Sequence, residues 1–349
     1  MYRLIKPMLF MLSPERAHGV TLRMFKFVLR TPFKNILLKR YQYHHPILET
    51  EVLGMQFKNP VGLAAGFDKN GAYMHEFASL GFGFLEIGTI TPKAQDGNPQ
   101  PRLFRLMKDH ALINRLGFNN QGATAAKHRL EKRPRNVIVG GNIGKNKSTP
   151  NDSAITDYLI CFKELQPLVD YLVVNVSSPN TPNLRELQDQ EPLEKLLTAI
   201  VKANKMKALQ RPIFLKIAPD VTDSMLDDIL EIAARKGVDG IIATNTTVDR
   251  PEDLLTPKEE LEAIGAGGLS GKPLADKSDY VLNYIRSRNR EIPIIAVGGI
   301  MTPADAIRKL EAGANLIQIY TGLVYHGPAL IKEINQAVAA HKVRKQKEF

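Results

Sequence analysis

The sequence predicts a (β/α)8 barrel that is preceded by an N-terminal helical extension. Eight short, apolar, β-branched runs recur after residue 60, and helical patterns separate most of them. Nearly continuous apolar strands that alternate with helices indicate a parallel sheet covered on both faces. The length of 349 residues provides enough chain for one such barrel with an addition.

Charge divides the chain into three parts. We expect an N-terminal amphipathic helical extension at residues 1–44, a barrel at 45–340 and a basic C-terminal tail at 341–349. The net charge is +11; residues 1–40 hold nine basic side chains against one acid, and the tail holds four against one. The chain between these ends is therefore neutral. This indicates no nucleic-acid footprint and suggests that the basic ends face an anionic surface.

Composition excludes several classes of protein and site. With 44% hydrophobic and 24% charged residues, the chain is neither collagen, nor a coiled coil, nor globally disordered. Cys161 is the single cysteine, which rules out an internal disulfide and a multi-cysteine metal site and fits a reducing compartment. We expect no metal site.

The N-terminal extension begins with a helix signal at residues 13–15, Ser-Pro-Glu, which reads as a capping hydroxyl, a first-position proline and a first-turn acid. Thr31-Pro32 repeats the signal. The longest uncharged run near the start, residues 7–14, is too short to span a bilayer. A cleaved secretory signal is not indicated either, because basic helical sequence follows that run.

Between these signals, one basic stripe faces a broad apolar arc. Arg16, Arg23, Lys26 and Arg30 share the stripe, and His18 projects from the arc. One interpretation is an interfacial helix, with its apolar side in lipid or around a lipophilic ligand. The other is an ordinary amphipathic helix packed on the barrel, with His18 as a packing residue. Composition alone slightly favours the second.

The barrel elements follow in order. A hairpin at residues 46–58 is expected to close the barrel bottom. We predict strands at residues 61–65, 84–88, 137–142, 171–176, 213–217, 240–244, 294–297 and 316–320. Helices are predicted at residues 72–80, 121–132, 152–168, 191–207, 222–236, 275–288 and 303–312. A doubly wound sheet is the alternative, but no phosphate-binding fingerprint follows the first strand.

The strand ends carry amides and hydroxyls. In such a barrel the chemistry lies at the carboxyl ends of the strands. Asn142, Asn175 and Asn245 follow three strands, and Asn114 and Asn180 lie in predicted loops. Carboxylates and histidines are nearly absent, which argues against paired-carboxylate hydrolysis and a His/Asp metal site. Amides offer both donors and acceptors, so this rim suits a planar heterocycle.

Glycines mark the ends of the last two strands, where barrels commonly bind phosphate on backbone N–H groups. Gly298-Gly299 and residues 320–322, Tyr-Thr-Gly, occupy these ends, and residues 267–271 form a third segment that we interpret as a flexible loop. Together they favour a phosphorylated cofactor.

Lys216 and the loop at 177–182 leave alternatives open. Lys216 fits a Schiff base in an aldolase-type lyase, an ammonium that stabilises a reduced flavin, or a salt bridge inside the barrel mouth. The loop Ser-Ser-Pro-Asn-Thr-Pro lacks the surroundings of an acyl-transfer serine. It is either a turn-rich loop or the carrier of a serine that moves a proton, which requires a relay and a dry site.

Ten motifs, in order along the whole chain, resemble those of the class 2 (quinone-dependent) dihydroorotate dehydrogenases. They are SPERAH (13–18), NPVGLAAGFDK (59–69), EIGT (86–89), PRLFR (101–105), INRLGFNN (113–120), NIGKN (142–146), SSPNTPNLR (177–185), KIAPD (216–220), ATNTT (243–247) and IYTG (319–322). The family often has Leu where this chain has Phe67.

The resemblance implies one FMN across the barrel mouth. Its phosphate would sit at Gly299, Tyr320 and Thr321, with Gly271 nearby. The ring and ribityl chain would contact Ala65, Gly66, Phe67, Asp68, Lys69, Thr89, Asn142, Asn175, Lys216 and Thr244.

The resemblance also implies the reaction, in which Ser178 takes the C5 proton of (S)-dihydroorotate while C6 passes a hydride to the flavin. The substrate would contact Lys69, Asn114, Arg115, Leu116, Gly117, Phe118, Asn175, Asn180, Asn245 and Thr246. Ser178, where class 1 members have cysteine, and the N-terminal extension both indicate class 2.

A membrane quinone would then reoxidise the flavin along a path past His18, Arg102 and Tyr320. The resemblance implies pyrimidine (UMP) biosynthesis and a peripheral protein on the cytoplasmic face of the inner membrane. We expect a monomer held to an anionic membrane surface by residues 1–40, with no nucleic-acid partner. Two further hypotheses are a Schiff-base lyase on Lys216 and a non-enzymatic barrel scaffold recruited to membranes.

Overall fold

A computed structural model describes residues 2–347, apart from the side chains of Arg3 and Leu37. The chain opens with three helices, α1 (Tyr2–Met11), α2 (Pro14–Val28) and α3 (Lys34–Tyr41). The predicted start of α2 is confirmed, although the side chain of Ser13 makes no capping hydrogen bond. Helix α1, which has Pro7 inside it, was not predicted.

The second helix signal, at Thr31-Pro32, is wrong. Helix α3 begins at Lys34, and Phe33 stands at its N-terminal cap position with a helical backbone. The Thr31 hydroxyl instead donates to the Val28 carbonyl at 2.7 Å. Because this hydroxyl closes the end of α2, it is not available to cap α3.

Thirteen strands lie in the described chain. They are β1 (Thr50–Val52), β2 (Met55–Phe57), β3 (Val61–Leu63), β4 (Phe84–Ile90), β5 (Leu103–Leu106), β6 (Ala111–Asn114), β7 (Ile138–Ile143), β8 (Tyr171–Asn175), β9 (Ile213–Ile217), β10 (Gly240–Ala243), β11 (Gly268–Gly271), β12 (Ile294–Val297) and β13 (Leu316–Ile319).

Ten further helices follow the extension. They are α4 (Met74–Ala78), α5 (Gly122–Leu130), α6 (Ala154–Leu165), α7 (Gln190–Lys205), α8 (Asp223–Lys236), α9 (Lys258–Ile264), α10 (Ala275–Arg288), α11 (Pro303–Glu311), α12 (Thr321–His326) and α13 (Ala329–Lys347).

Eight parallel strands close into a barrel in the order β3-β4-β7-β8-β9-β10-β12-β13, and β13 pairs with β3. This confirms the predicted fold, and each predicted strand ends within two residues of the observed one. The doubly wound alternative is wrong because the sheet has no open edge.

The mouth of the barrel carries a second sheet that was not predicted. Strands β5, β6 and β11 form a three-stranded antiparallel sheet in which Asn114 pairs with Gly268. The segment 267–271, interpreted as a flexible loop, is therefore largely strand, and Asn114 ends a strand. The two partners lie 154 residues apart, so local sequence patterns carry no sign of their pairing.

The barrel bottom is plugged by aromatic rings. The β1–β2 hairpin contributes Val52 and Phe57, which pack on Phe84, Tyr171 and Phe214. The rings need room inside the barrel; a Cβ on Gly62, for example, would lie 2.3 Å from the Phe84 ring. The predicted closure of the bottom is confirmed.

The C-terminal segment is helical as far as Lys347, since α13 continues through residues 341–347. Lys342 Nζ donates to the Ile47 carbonyl at 3.1 Å. Lys345 Nζ and His341 Nε2 each lie 3.1 Å from Glu311. Part of the C-terminal basic charge is thus used inside the fold. Among the described residues, no helix is long and apolar enough to cross a membrane.

Candidate active site

A basin opens at the carboxyl ends of the barrel strands. Its empty space, including the part open to solvent, is about 960 Å³. Its walls come from the ends of β3, β4, β8, β9, β10, β12 and β13 and from the sheet of β5, β6 and β11. Of the amides singled out in the sequence, Asn114, Asn175 and Asn245 line this basin, and Asn142 and Asn180 do not.

Most of the predicted cofactor residues line this basin. They are Ala65, Gly66, Lys69, Thr89, Asn175, Lys216, Thr244, Gly271, Gly299, Tyr320 and Thr321. Three others, Phe67, Asp68 and Asn142, stand behind the wall. The Asp68 carboxylate accepts from the backbone N–H groups of Ala72 and Tyr73, each at 2.8 Å. Asp68 therefore shapes the loop that carries Gly66 and Lys69.

A buried polar network underlies the part of the basin that Thr89 and Asn175 line. Asn142 Oδ1 accepts from Thr89 Oγ1 at 2.6 Å and from Asn175 Nδ2 at 3.1 Å. Asn142 Nδ2 in turn donates to Glu86 at 2.8 Å. Because these amides hold one another, the side chains that face the basin are fixed before any ligand arrives.

Lys216 is fully buried in the floor. Its ammonium lies 3.9 Å from the Glu86 carboxylate, as in the salt-bridge interpretation of the sequence. Burial lowers the pKa of Lys216, and Glu86 opposes that shift. A single partner at this distance leaves the ammonium able to serve a second anionic group at the basin surface.

Sequence reasoning missed Glu86 and Gln318 as parts of the site. Gln318 lines the basin and donates to Glu86 at 2.6 Å, while its Oε1 has no hydrogen-bond partner among the described residues. Both lie within otherwise apolar strand runs, FLEI and LIQI. A polar residue inside such a run was the signal that could have identified them.

One end of the basin rests on glycines with positive φ. Gly271, Gly298 and Gly299 have φ of 99°, 115° and 74°, a region that favours glycine. Thr321 begins α12 at the wall, and its hydroxyl lies 2.9 Å from Ser270 Oγ. Glycine backbone and hydroxyl side chains are the residue types that commonly bind a phosphate.

The loop that carries Ser178 borders the basin. Ser178 lines the basin with 6% of its surface exposed, and its Oγ accepts from the Asn180 backbone N–H at 3.2 Å. Asn180 Nδ2 donates to Asn114 Oδ1 at 2.9 Å, and Asn98 Nδ2 donates to the Asn180 carbonyl at 3.1 Å. The hydroxyl is thus held in a closed, nearly dry position.

The predicted substrate residues divide in the same way. Those that line the basin are Lys69, Asn114, Leu116, Phe118, Asn175, Asn245 and Thr246. Arg115 points away, donating to the Ile264 and Ala266 carbonyls. Gly117 and Asn180 lie just outside the wall, and a Cβ on Gly117 would come within 2.8 Å of the Asn98 side chain. Arg115, Gly117 and Asn180 therefore support the wall of the basin from outside.

The N-terminal helices meet the basin through aromatic contacts. The His18 and Phe67 rings are 5.0 Å apart, and the Phe67 and Tyr320 rings are also 5.0 Å apart. Arg102, mostly buried, pairs with Glu15 of α2 at 3.0 Å. A continuous line of contacts therefore joins α2 to the basin wall at Tyr320.

Two groups at this junction have shifted pKa values. Burial lowers the pKa of Lys69 to about 8, with Glu15 opposing the shift. Burial, with help from Lys69, lowers the pKa of His18 to about 4. His18 is therefore neutral at physiological pH.

We expect the docking of α2 to weaken in acid. Between pH 6.5 and about 4 the unfolded chain binds a proton on His18 that the folded chain excludes. The stability from neutral His18 is thus complete above pH 6.5 and falls by roughly 3 kcal/mol as the pH drops through that range. Thermal unfolding of the wild type and of His18→Phe across this pH range tests the expectation. The melting temperature of the variant should fall less steeply as the pH drops. Equal slopes in both would contradict it.

The outer faces of the three N-terminal helices are apolar and uncovered. Between 59% and 87% of the side-chain surface is exposed at Leu4, Met8, Met11, Met24, Phe27, Phe33 and Ile36. Helix α1 is held in place, since Arg105 donates to the Phe10 and Leu12 carbonyls at 3.2 and 2.9 Å. Only Ala17 and Leu22 of α2 are buried. This uncovered face favours the interfacial interpretation over plain packing on the barrel.

Comparison with known proteins gives a consistent result. The family model for dihydroorotate dehydrogenase matches residues 47–341. A protein of Christiangramia forsetii named dihydroorotate dehydrogenase (quinone) is 53% identical over 341 residues, covering 97% of this chain and 98% of its own. A protein of Xanthomonas oryzae pv. oryzae with the same name is 47% identical over 345 residues, covering 97% of this chain and 96% of its own.

The fold has solved counterparts. A crystal structure of DHODH from Eimeria tenella in complex with ferulenol has a TM-score of 0.83 and 38% identity, and covers 93% of this chain and 90% of its own. A ligand-free crystal structure from the same organism has a TM-score of 0.82, also at 38% identity, and covers 91% and 93%.

Proposed function

Because the chain belongs to the dihydroorotate dehydrogenase family, we propose that its basin oxidises (S)-dihydroorotate to orotate with FMN as hydride acceptor and a membrane quinone as final acceptor. The family is flavin-dependent, and relatives across nearly the full chain carry the quinone form of the name. The reaction belongs to de novo pyrimidine (UMP) biosynthesis. One observation carries the proposal: a single basin gathers the buried lysine, the amide network, the glycine-rich phosphate end and the serine loop.

The described residues fit one FMN per chain. Gly271, Gly299, Tyr320 and Thr321 would hold the phosphate, and the partnerless Oε1 of Gln318 adds an acceptor at the floor. The ring would lie against Ala65, Gly66, Lys69, Thr89, Asn175, Lys216 and Thr244, with Phe67, Asp68 and Asn142 supporting them from behind. FMN, when bound, supplies the acceptor for the hydride from C6 of the substrate.

Ser178 is the residue proposed to take the C5 proton. A serine hydroxyl is a weak base, so it needs a dry site and must pass its own proton through a hydrogen-bonded relay to solvent as it takes the C5 proton. Its small exposure and the N–H donated by Asn180 hold Oγ in one position without occupying both lone pairs. The remaining lone pair is available to the substrate.

The amides orient the substrate ring. Asn114, Asn175, Asn245 and Thr246 line the basin, and their amide and hydroxyl groups suit a ring that alternates donors and acceptors. Lys69 adds positive charge for the carboxylate of the substrate. Leu116 and Phe118 close the apolar side.

The quinone is proposed to approach through the N-terminal extension past His18, Arg102 and Tyr320. Phe10, Met301, Tyr320 and Tyr325 belong to one apolar cluster that joins α1 to the basin wall. These contacts between the helices and Tyr320 support that route. Neutral His18 suits such an apolar passage better than a charged ring would.

Membrane attachment is proposed to be peripheral. The apolar face of the three helices, flanked by the exposed Arg16, Arg23 and Arg30, suits an anionic bilayer surface on the cytoplasmic side of the inner membrane. We propose that residues 1–44 form this attachment unit, residues 45–340 the barrel and residues 341–349 an added basic segment. We propose a monomer as the working unit.

Colour tests the proposed function directly. The purified protein is expected to be yellow, with one FMN per chain, and anaerobic dihydroorotate is expected to bleach it. Ubiquinone or menaquinone should then restore the colour faster than fumarate or NAD. A colourless protein that borohydride traps with a carbonyl substrate would instead establish a lyase on Lys216.

A further inference from the structure

Arg185 connects the two loops that carry the substrate side of the basin. Its Nε donates to the Ser177 carbonyl at 3.1 Å, and its Nη2 donates to the Thr246 carbonyl at 2.9 Å. Its Nη1 donates to the Asp220 carboxylate at 2.8 Å. All three contacts come from one planar guanidinium, so the distance between the Ser177 and Thr246 carbonyls is fixed by a rigid group.

Asp220 holds the guanidinium in turn. Its carboxylate accepts from Lys277 Nζ at 2.7 Å, from the Val248 N–H at 3.0 Å and from the Thr247 hydroxyl. Burial alone would raise the pKa of Asp220, but the donors from Lys277, Thr247, Val248 and Arg185 lower it below its ordinary value. The carboxylate is therefore charged, and the Arg185 pair persists at neutral pH.

Both of the carbonyls that Arg185 holds are next to residues of the reaction. Ser177 precedes Ser178, and Thr246 lines the basin after Asn245. Arg185 itself does not line the basin, so it touches neither substrate nor cofactor. Its influence is confined to the separation and angle between the serine loop and the loop after β10.

We propose that Arg185, fixed by Asp220, is the positioning residue that sets the place of Ser178 relative to the substrate held by Asn245 and Thr246. This inference rests on the proposed function and adds a specific role for a residue outside the basin. An error of about 1 Å in the place of a reacting group costs roughly 100-fold in rate. Loss of Arg185 is therefore expected to slow removal of the C5 proton more than it weakens substrate binding.

The test measures bleaching of the flavin by dihydroorotate deuterated at C5 or at C6, in stopped flow without oxygen. Arg185→Gln is expected to slow bleaching roughly 100-fold with unchanged flavin content. The C5 isotope effect should rise while the C6 effect does not, because the misplaced base makes C5–H cleavage more rate-limiting. General loosening of the site would instead slow both steps alike.

Arg286→Gln is the matched control. Arg286 also bridges two loops, donating to the Asn289 and Gly313 carbonyls at 3.1 and 2.7 Å, but it lies at the opposite end of the barrel. The flavin of Arg286→Gln should bleach at the wild-type rate. Arg185→Lys should be intermediate, since one ammonium retains Asp220 but does not span both carbonyls.

Asp220→Asn provides a second, milder variant. It should reproduce the C5 effect, and combining it with Arg185→Gln should add little, because both act through one contact. The inference is overturned if Arg185→Gln and Asp220→Asn bleach like Arg286→Gln, or if both isotope effects rise together. If dihydroorotate does not bleach the wild-type flavin at all, the proposed function is wrong. If the wild type bleaches normally and the Arg185 and Asp220 variants bleach at the same rate, only the role of Arg185 is wrong.

Discussion

Ser178→Ala is expected to keep its flavin and to lose reduction by dihydroorotate, with the bleaching rate falling about 100- to 10,000-fold. The hydroxyl is the group in the serine loop that the structure holds in the basin with a free lone pair. Alanine removes it without adding bulk, so the loop and the amide network should stay in place. Orotate binding, read from the flavin spectrum, should change little.

Ser177→Ala is the comparison for this variant. The Ser177 hydroxyl donates to Asn175 Oδ1 and accepts from Asn245 Nδ2, both at 3.0 Å, so it supports the substrate-binding amides. Its removal should raise the KM for dihydroorotate more than it lowers kcat. Unchanged bleaching by Ser178→Ala would remove the proton-transfer role.

Deletion of residues 1–40 is expected to separate the two half-reactions. The deleted chain should retain flavin and its bleaching by dihydroorotate, because the barrel walls all lie beyond residue 60. Quinone turnover and binding to phosphatidylglycerol vesicles should both disappear, since the exposed apolar face and His18 are lost. Soluble dye acceptors should still be reduced.

A double substitution, Met24→Gln with Phe27→Gln, tests the proposed membrane attachment while it leaves the proposed quinone path in place. These side chains are 59% and 69% exposed, so the melting temperature should hold while vesicle binding falls. Ile160→Gln, on an exposed side chain of α6, is the control and should bind vesicles normally. Full quinone turnover and full vesicle binding by the deleted chain would contradict the role given to the extension.

The sequence predicted the barrel because its strands are local and unambiguous. Runs such as 213–217 and 294–297 are apolar throughout, which is the pattern of a strand buried on both faces, and their observed bounds are the same. The strand-end amides followed from the rule that barrel chemistry lies at those ends. The hairpin at the barrel bottom could be predicted for the same reason, because its two strands are neighbours in the sequence.

What escaped prediction depends on contacts between distant segments. The pairing of β6 with β11 and the bond from Gln318 to Glu86, 232 residues apart, leave no local pattern. Helix α1 was obscured by Pro7, and its place depends on Arg105 from β5. Whether α2 faces lipid or the barrel depended on how much of its apolar arc the rest of the chain covers, which composition does not specify.

Closure of the barrel between its first and last strands has a consequence for synthesis. Strand β3 has no β13 to pair with until about 250 more residues have been translated, roughly 10 to 50 s at ordinary elongation rates. The extension emerges before any of the barrel, with its apolar side chains uncovered. The nascent chain therefore exposes the apolar helices of the extension long before the barrel can close.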